Sequence, residues 1–265
     1  MLNYARNIKY FINEGFFKKK SSEMYWILGL IYSDGNLSGR EVSIALHKQD
    51  VDVFEKIKVC MKTNIPISKR KDNCYRLRIC RKEIKNSLIK LGLIENKSLI
   101  LKFPKVPKKY LSHFIRGLID GDGCIDSHSG NLRIRLVSGS KKFIDKITEI
   151  LNELNFIVTH NKYPSCYALN TFDKKFGEWI YENSDGIRMD RKYNNYLIAI
   201  EKDKRKYGKI RPKDLEFLMN NYNKGFDFCK KYFDISKEQF DKKVYYQLNK
   251  YKWKEYYKSK VVREC

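Results

Sequence analysis

The same order of apolar and alternating segments occurs twice along the chain. Each copy begins with a largely apolar run that indicates a helix, followed by strand-like alternation, a second helical pattern, further alternation and a short helix. In the first and second copies, respectively, the segments are 26–35 and 114–123 (helix), 42–46 and 132–136 (strand), 51–61 and 141–154 (helix), and 75–79 and 165–172 (strand). This repetition predicts an α+β protein made of two similar halves.

Prolines and composition divide the chain into four parts. The prolines of residues 101–110 prevent both a continuous helix and a central strand, so we expect a linker there. The first repeat is expected at 1–100, the second repeat at 111–196, and a basic helical extension at 197–265. The extension is either a helix-turn-helix module that binds DNA or a generic helical addition.

The charge of the chain indicates a polyanionic partner. It has 55 Lys and Arg residues against 31 Asp and Glu residues, a net charge of +24, while 42% hydrophobic residues suffice for a core. No run is long enough for a membrane helix or typical of a secretion signal, so we expect no membrane association. The 7 cysteines form no C-x-x-C pair, which favours reduced thiols in an intracellular compartment, the cytoplasm or an organelle matrix.

Glycines inside the two apolar helices indicate that these helices touch. Gly29 and Gly117 occupy matching positions, where glycine costs about 1 kcal/mol relative to alanine in a helix. Close packing of two backbones explains the glycines, and it would bring Asp34 and Asp122 together at the two helix ends.

The two aspartates indicate a cation site. Two carboxylates at helix carboxyl termini repel each other and meet the negative ends of the helix dipoles, so the pairing favours bound divalent ions. Such ions also support phosphodiester hydrolysis. The alternative is that Asp34 and Asp122 are only polar end residues of core helices. Gly35 and Gly123, which follow them, are expected to end the helices in a left-handed conformation.

The doubled motif resembles the paired motifs of the LAGLIDADG homing endonucleases, in their monomeric two-motif form. The resemblance extends over residues 24–196 and implies two pseudo-symmetric αββαββα repeats whose sheets form a saddle on the DNA major groove. It implies two or three Mg²⁺ ions between the aspartates and the scissile phosphates. The implied metal ligands are Asp34, Asp122, Gly35 and Gly123.

Two further aspects of the motif follow from the resemblance. The first copy has Tyr32 where aspartate is usual, whereas the second copy keeps Asp120 there; this position does not bind metal. Members of the family carry a lysine near the end of each half that polarises the hydrolytic water and the scissile phosphate. Here the resemblance implies Lys97 and Lys192, with Lys48 and Arg191 as alternatives, although any of these could be an ordinary solvated side chain. The Lys48 position corresponds to Ser138 in the second half, so the site could be asymmetric.

Basic residues on the predicted strands are candidates for DNA contact. Arg76 and Arg78 share one strand face, as do Arg133 and Arg135, while aliphatic residues occupy the other face. The alternative is that they only increase solubility. The further DNA-binding candidates are Arg40, His47, Lys48, Lys69, Arg70, Lys141, Lys237, Lys242 and Lys243.

Together these features predict a monomeric, magnesium-dependent homing endonuclease that makes a double-strand break at a long DNA site, encoded in a mobile intron or as a free-standing gene. The alternatives are a non-cleaving DNA-binding regulator resembling the WhiA class and an RNA maturase that binds intron RNA. An intein origin is not expected, because only 25 residues precede the first motif.

Overall fold

A computed structural model describes residues 10–70 and 73–203, and it has the predicted mixed α+β architecture. In the first half the helices and strands are α1 Ser22–Asp34, β1 Gly35–Ser38, β2 Glu41–His47, α2 Val51–Cys60, β3 Ile67–Lys69, β4 Cys74–Ile79 and α3 Lys82–Lys90. In the second half they are α4 Leu111–Asp122, β5 Gly123–His128, β6 Asn131–Ser138, α5 Lys141–Glu153, β7 Val158–Lys162, β8 Tyr167–Thr171, α6 Lys174–Tyr181 and α7 Asp190–Lys202. Both halves thus contain the predicted αββαββα order, and the second continues into α7.

The two sheets have the same topology. Each is a four-stranded antiparallel sheet, with strand order β1-β2-β4-β3 in the first half and β5-β6-β8-β7 in the second. The large aliphatic residues that alternate along β2 and β6 are buried, as the alternation predicts: Val42, Ile44 and Leu46 in β2, and Leu132, Ile134 and Leu136 in β6. The residues between them, which include the arginines of β6, belong to the opposite face. The sheets therefore present two polar faces built from equivalent strands.

Helices α1 and α4 pack together through their glycines. A Cβ atom added to Gly29 would lie 2.9 Å from Gly117 Cα, and one added to Gly117 would lie 2.9 Å from Gly29 Cα. Larger side chains would therefore separate the helices. Residues 24–32 of α1 are all buried, because this helix is covered both by α4 and by its own sheet. The predicted contact is confirmed.

The glycines that follow the two aspartates are not left-handed caps. Gly35 has φ −80° and Gly123 has φ −82°, and both begin strands directly after the helix. Glycine is needed there for space, since a Cβ atom would lie 2.7 Å from Ile31 Cα at Gly35 and 2.6 Å from Ile119 Cα at Gly123. The expectation of a left-handed conformation is wrong because the chain passes from helix to strand without an intervening turn.

The segment between the halves lies against the core. Leu101 and Pro104 are buried, and the Phe103 ring packs on the Phe114 and Phe143 rings, with centroids 5.3 and 6.0 Å apart. At the other end, α7 continues past residue 196, and the compact unit of the described residues ends at Asp203. The predicted helical extension lies outside the described residues apart from this end of α7. Among the described residues, no helix is both long and apolar enough to cross a membrane.

Candidate metal and nucleic-acid site

The two motif aspartates lie together at the adjacent ends of α1 and α4. A Cβ atom added to Gly121 would lie 2.7 Å from Asp34 Oδ2, so the Asp34 carboxylate contacts the last turn of the opposite helix, next to Asp122. Burial, and after it the negative charge of Asp122, raises the pKa of Asp34 to about 6. Burial also raises the pKa of Asp122, which is the more exposed of the two side chains.

Each aspartate end is accompanied by a buried or half-buried lysine. Lys97 Nζ donates to the carbonyl oxygens of Tyr32 and Ser33, both at 2.6 Å. Lys192 Nζ donates to the carbonyl oxygens of Ile119, at 2.8 Å, and Gly121, at 2.5 Å. The last carbonyls of a helix lack intrahelical partners and carry its negative dipole, so an ammonium group is favoured there.

The lysines and aspartates form one electrostatic cluster. Burial lowers the pKa of Lys97 and of Lys192, while the nearby carboxylates oppose that shift. Conversely, both ammonium groups oppose the rise in the Asp34 and Asp122 pKa values. The structure thus brings together all four of the predicted catalytic residues.

The carboxylates are available to a ligand. Within the described residues, neither Asp34 nor Asp122 has a hydrogen bond or an ion pair through its side chain. No group of three His, Cys, Asp or Glu residues that could hold a metal occurs among the described residues. This donor set still fits Mg²⁺, which is commonly bound through one or two carboxylates together with water and substrate phosphates. Ligation by Gly35 and Gly123 stays a prediction.

The two residues considered as alternatives to the predicted catalytic lysines, Arg191 and Lys48, have different surroundings. Arg191 donates two hydrogen bonds to the Asp50 carboxylate, at 2.7 and 2.9 Å, and is therefore committed to that ion pair. Lys48 is exposed and begins the 3₁₀ turn Lys48–Asp50 after β2.

The sixth motif position performs a comparable structural task in both halves. Asp120 is fully buried and accepts hydrogen bonds from Trp26 Nε1 at 2.8 Å and from the Met189 backbone at 3.0 Å. In the first half, Tyr32 donates its hydroxyl to the Leu91 carbonyl at 2.8 Å. Each side chain ties its motif helix to the segment that precedes the lysine, which explains how tyrosine replaces aspartate there.

The polar face of the first sheet carries Arg76 and Arg78. These residues pair with Ala45 and Ser43 of β2, and Arg78 Nε donates to Glu41 Oε2 at 2.8 Å. Arg76 lies 4.0 Å from the same carboxylate. Glu41 therefore holds two guanidinium groups on the open face of the sheet.

The second sheet carries its arginines on β6, which is equivalent to β2 and not to β4. Arg133 binds the Asp126 carboxylate of β5 through two hydrogen bonds, at 2.9 and 2.6 Å. Arg135 lies over the Tyr163 ring, 4.8 Å from its centroid, and its buried Nε atom has no partner among the described residues. Two hydrogen bonds thus orient Arg133, and contact with the tyrosine ring orients Arg135.

The other DNA-binding candidates occupy several parts of the surface. Arg40 is in the β1–β2 turn, His47 ends β2 on the arginine face, and Lys141 begins α5, where it forms an ion pair with Asp145. Lys69 pairs with Tyr75 in the sheet, so the register places it on the side opposite the arginines. Arg70 follows Lys69, at the end of β3. Lys237, Lys242 and Lys243 lie outside the described residues.

Sequence reasoning missed the groups that orient the arginines and the lysines. The sequence did not predict the roles of four such residues, because isolated acidic and aromatic residues are common on any surface. They are Glu41, Asp126, Tyr163 and Asp50. One signal was available: the Ser-Gly turn at residues 129–130 predicts a hairpin, and its register places Asp126 opposite Arg133.

Comparison with known proteins agrees with this architecture. Residues 109–183 match the family model of a LAGLIDADG-like domain. The chain is 26% identical over 198 residues to a probable translation initiation factor IF-2 of Methanocaldococcus jannaschii, covering 71% of this chain and 16% of that protein. It is 25% identical over 191 residues to the reverse gyrase of the same organism, covering 67% of this chain and 11% of that protein. The chain therefore spans less than a fifth of the curated relatives it matches.

Solved structures share the fold at low identity. The meganuclease I-SmaMI bound to uncleaveable DNA superposes with a TM-score of 0.50 at 11% identity, covering 77% of this chain and 91% of that one. A second I-SmaMI complex, whose uncleaveable DNA has a TTCT instead of a TTGT central four, gives a TM-score of 0.50 at 12% identity, covering 76% of this chain and 98% of that one. Full-length DUF199/WhiA from Thermatoga maritima gives a TM-score of 0.46 at 14% identity, covering 80% of this chain and 72% of that one. The two I-SmaMI superpositions show that the described chain has the LAGLIDADG fold, as the motifs predict, and residues 109–183 are similar to a LAGLIDADG-like domain.

Proposed function

We propose that the protein is a divalent-metal-dependent, site-specific DNA endonuclease that makes a double-strand break as a monomer. The observation that carries the proposal is the pairing of Asp34 and Asp122, each beside a lysine bound to the end of a motif helix. A protein that only binds DNA has no need to hold two repelling carboxylates together.

The aspartates would hold Mg²⁺ ions through their unpartnered oxygens. Bound divalent ions supply activation of a water and stabilisation of the leaving oxygen in phosphodiester hydrolysis. The raised pKa of Asp34, about 6, still leaves its carboxylate ionised at neutral pH, as metal binding requires.

The two lysines would act on the phosphate and the water. An ammonium group has three N–H donors, and Lys97 and Lys192 each use two of them on helix-end carbonyls. The remaining donor of each lysine can stabilise a scissile phosphate or orient the attacking water. Because the two lysines are related by the pseudo-symmetry of the repeats, each would serve one of the two antiparallel DNA strands.

The polar sheet faces would provide recognition. Arg76 and Arg78 of β4 and Arg133 and Arg135 of β6 lie on the polar faces of the two sheets, where carboxylates or a tyrosine ring contact them. A pre-oriented guanidinium is suited to guanine edges in the major groove, and the net charge of +24 favours duplex DNA over neutral partners.

The test is cleavage of a randomised DNA-site library in the presence of Mg²⁺, followed by sequencing of the cut ends. The proposal expects enrichment of a single long site. Asp34→Asn and Asp122→Asn should each bind that site and lose double-strand cutting. Glu83→Gln, which removes a charge from an exposed ion pair with Lys18, is the matched control and should cut normally.

The alternatives give different results in the same experiment. Site-specific binding of duplex DNA without cutting, by the unmodified protein, would favour a regulator resembling the WhiA class. Preferential binding of structured intron RNA would favour a maturase. Unchanged cutting by Asp34→Asn or Asp122→Asn would refute the metal site.

A further inference from the structure

The residue at the start of α2 does not cap its own helix. Asp50 precedes α2 and Ser140 precedes α5 at equivalent positions of the two halves. Ser140 accepts a hydrogen bond from the Phe143 backbone in the usual capping geometry. Asp50 makes no capping hydrogen bond, although aspartate is among the best residues for that task. Its carboxylate is used elsewhere.

The Asp50 carboxylate crosses from the first half to the second. It accepts two hydrogen bonds from Arg191 of α7, and only 6% of its side chain is exposed. A bidentate ion pair with one buried partner fixes the orientation of the guanidinium group and of the backbone that carries it.

A second contact from α2 reaches the same segment. Lys56 Nζ forms an ion pair with Asp190 at 2.8 Å and donates to the Arg188 carbonyl at 2.7 Å. Two side chains of the first half thus hold three residues of the second half, Arg188, Asp190 and Arg191, around the start of α7 and before Lys192.

The segment that carries Lys97 is held in another way. Its neighbour Glu95 forms an ion pair with Lys85 at 2.7 Å, and both belong to the first half, as Lys97 does. From the second half it receives the hydrogen bond that Ser140 Oγ donates to the Leu101 carbonyl, at 2.7 Å. The ion pair near Lys97, between Lys85 and Glu95, is therefore internal to the first half. The ion pair next to Lys192, between Asp50 and Arg191, joins the two halves.

We propose that Asp50 and Arg191 are positioning residues that fix the location of the Lys192 ammonium group. Cleavage of one DNA strand, which Lys192 of the second half would serve, then depends on a contact from the first half. This rests on the proposed endonuclease function. The ion pair orients the first turn of α7, which aims the Lys192 ammonium at the end of α4, while Lys97 is independent of it.

The test uses the variant Asp50→Ser in the full chain. Serine is the residue that the second half has at this position, so it restores the helix cap and removes the ion pair without burying an unpaired charge. Arg191, which is 42% exposed, is left free to reach solvent. Arg191→Lys is the second variant, since it keeps the charge and loses the two-pronged geometry. Glu83→Gln is again the control.

Two measurements decide the proposal. Each strand of the cognate site is end-labelled and its cutting rate is measured in Mg²⁺. Separately, without DNA or metal, acylation of each lysine by an amine-reactive ester is followed by mass spectrometry. Asp50→Ser should slow one strand on the order of tenfold to a hundredfold, so that nicked DNA accumulates. It should also make Lys192, which is 5% exposed, reactive, with Lys97 unchanged.

The contrary outcomes are distinct. If Asp50→Ser cuts the two DNA strands at equal rates, whether both rates are normal or both are slowed, the proposal is overturned. It is also overturned if Lys192 stays protected from acylation in both Asp50→Ser and Arg191→Lys. If the unmodified protein cuts no DNA, the endonuclease proposal fails, and the acylation of Lys192 alone then decides whether Asp50 and Arg191 position it.

Discussion

Replacing Asp34 by asparagine should stabilise the metal-free protein while it destroys cutting. The Asp34 carboxylate is partly buried between two helix ends, lies close to Asp122 and has no hydrogen-bond donor among the described residues. Asparagine has nearly the same shape and carries no charge. The substitution therefore removes the electrostatic repulsion without leaving a cavity.

The size of the effect follows from the pKa of Asp34. Folding raises it from 3.8 to about 6, and each unit corresponds to about 1.4 kcal/mol, which sets an upper limit of about 3 kcal/mol. Because the side chain is partly exposed and screened, we expect about 1–2 kcal/mol. A raised carboxyl pKa costs stability above the folded value. The cost is therefore complete above pH 6, declines as the pH falls, and is absent below the unfolded value of 3.8.

Thermal unfolding in EDTA at several pH values tests this reasoning. At pH 7.5, Asp34→Asn should unfold about 2–8 °C above the unmodified protein, and the difference should disappear near pH 4. Asp122→Asn should change in the same direction. Asp126→Asn should change in the opposite direction, because Arg133 lowers the pKa of Asp126 and the carboxylate there contributes stability.

Magnesium should reverse the order. Ligand binding stabilises only the protein that binds it, so saturating Mg²⁺ should raise the melting temperature of the unmodified protein and leave that of Asp34→Asn unchanged. An asparagine variant that is less stable than the unmodified protein at pH 7.5 in EDTA, or a difference independent of pH, would show that Asp34 is not a strained carboxylate.

Three further predictions concern packing, recognition and pH. Gly29→Ala should lower the free energy of unfolding by about 3 kcal/mol in denaturant titrations, because its Cβ would clash with α4, whereas Gly15→Ala meets an atom only at 3.4 Å and should be neutral. In a binding assay over all single-base variants, Arg133→Ala should lose discrimination at a few positions, whereas Lys141→Ala should weaken binding uniformly and reduce its salt dependence. The cutting rate at limiting Mg²⁺ should decline as the pH falls through about 6, where the Asp34 carboxylate becomes protonated, and a flat profile would contradict this.

The sequence predicts the contact between α1 and α4 well because the chemistry there is local and repeated. Gly29 and Gly117 are informative since an interior helical glycine is costly unless a backbone contacts it. Once the helices touch at the glycines, the ends of the helices must meet, and so must Asp34 and Asp122. The strands beyond them follow from period-two alternation, which sets which face of each sheet carries the arginines.

The sequence does not predict contacts that depend on how the halves meet. Asp50 and Arg191 are 141 positions apart. No periodicity or spacing relates two charged residues on different halves, and aspartate before a helix is most simply interpreted as a cap. The conformation of Gly35 was also missed, because a glycine after a helix favours a left-handed cap unless a strand begins at once.

The two halves repeat the same fold but hold their lysines by different chemistry. Tyr32 reaches the Leu91 carbonyl where Asp120 binds the Met189 backbone, and an internal ion pair near Lys97 replaces one between the halves at Lys192. In a symmetric dimer such differences could not arise, since any substitution would appear at both ends of the site. A single chain can change one lysine segment without changing the other. The supports of the two lysines can therefore differ while the glycine contact between α1 and α4, which both sites share, stays fixed.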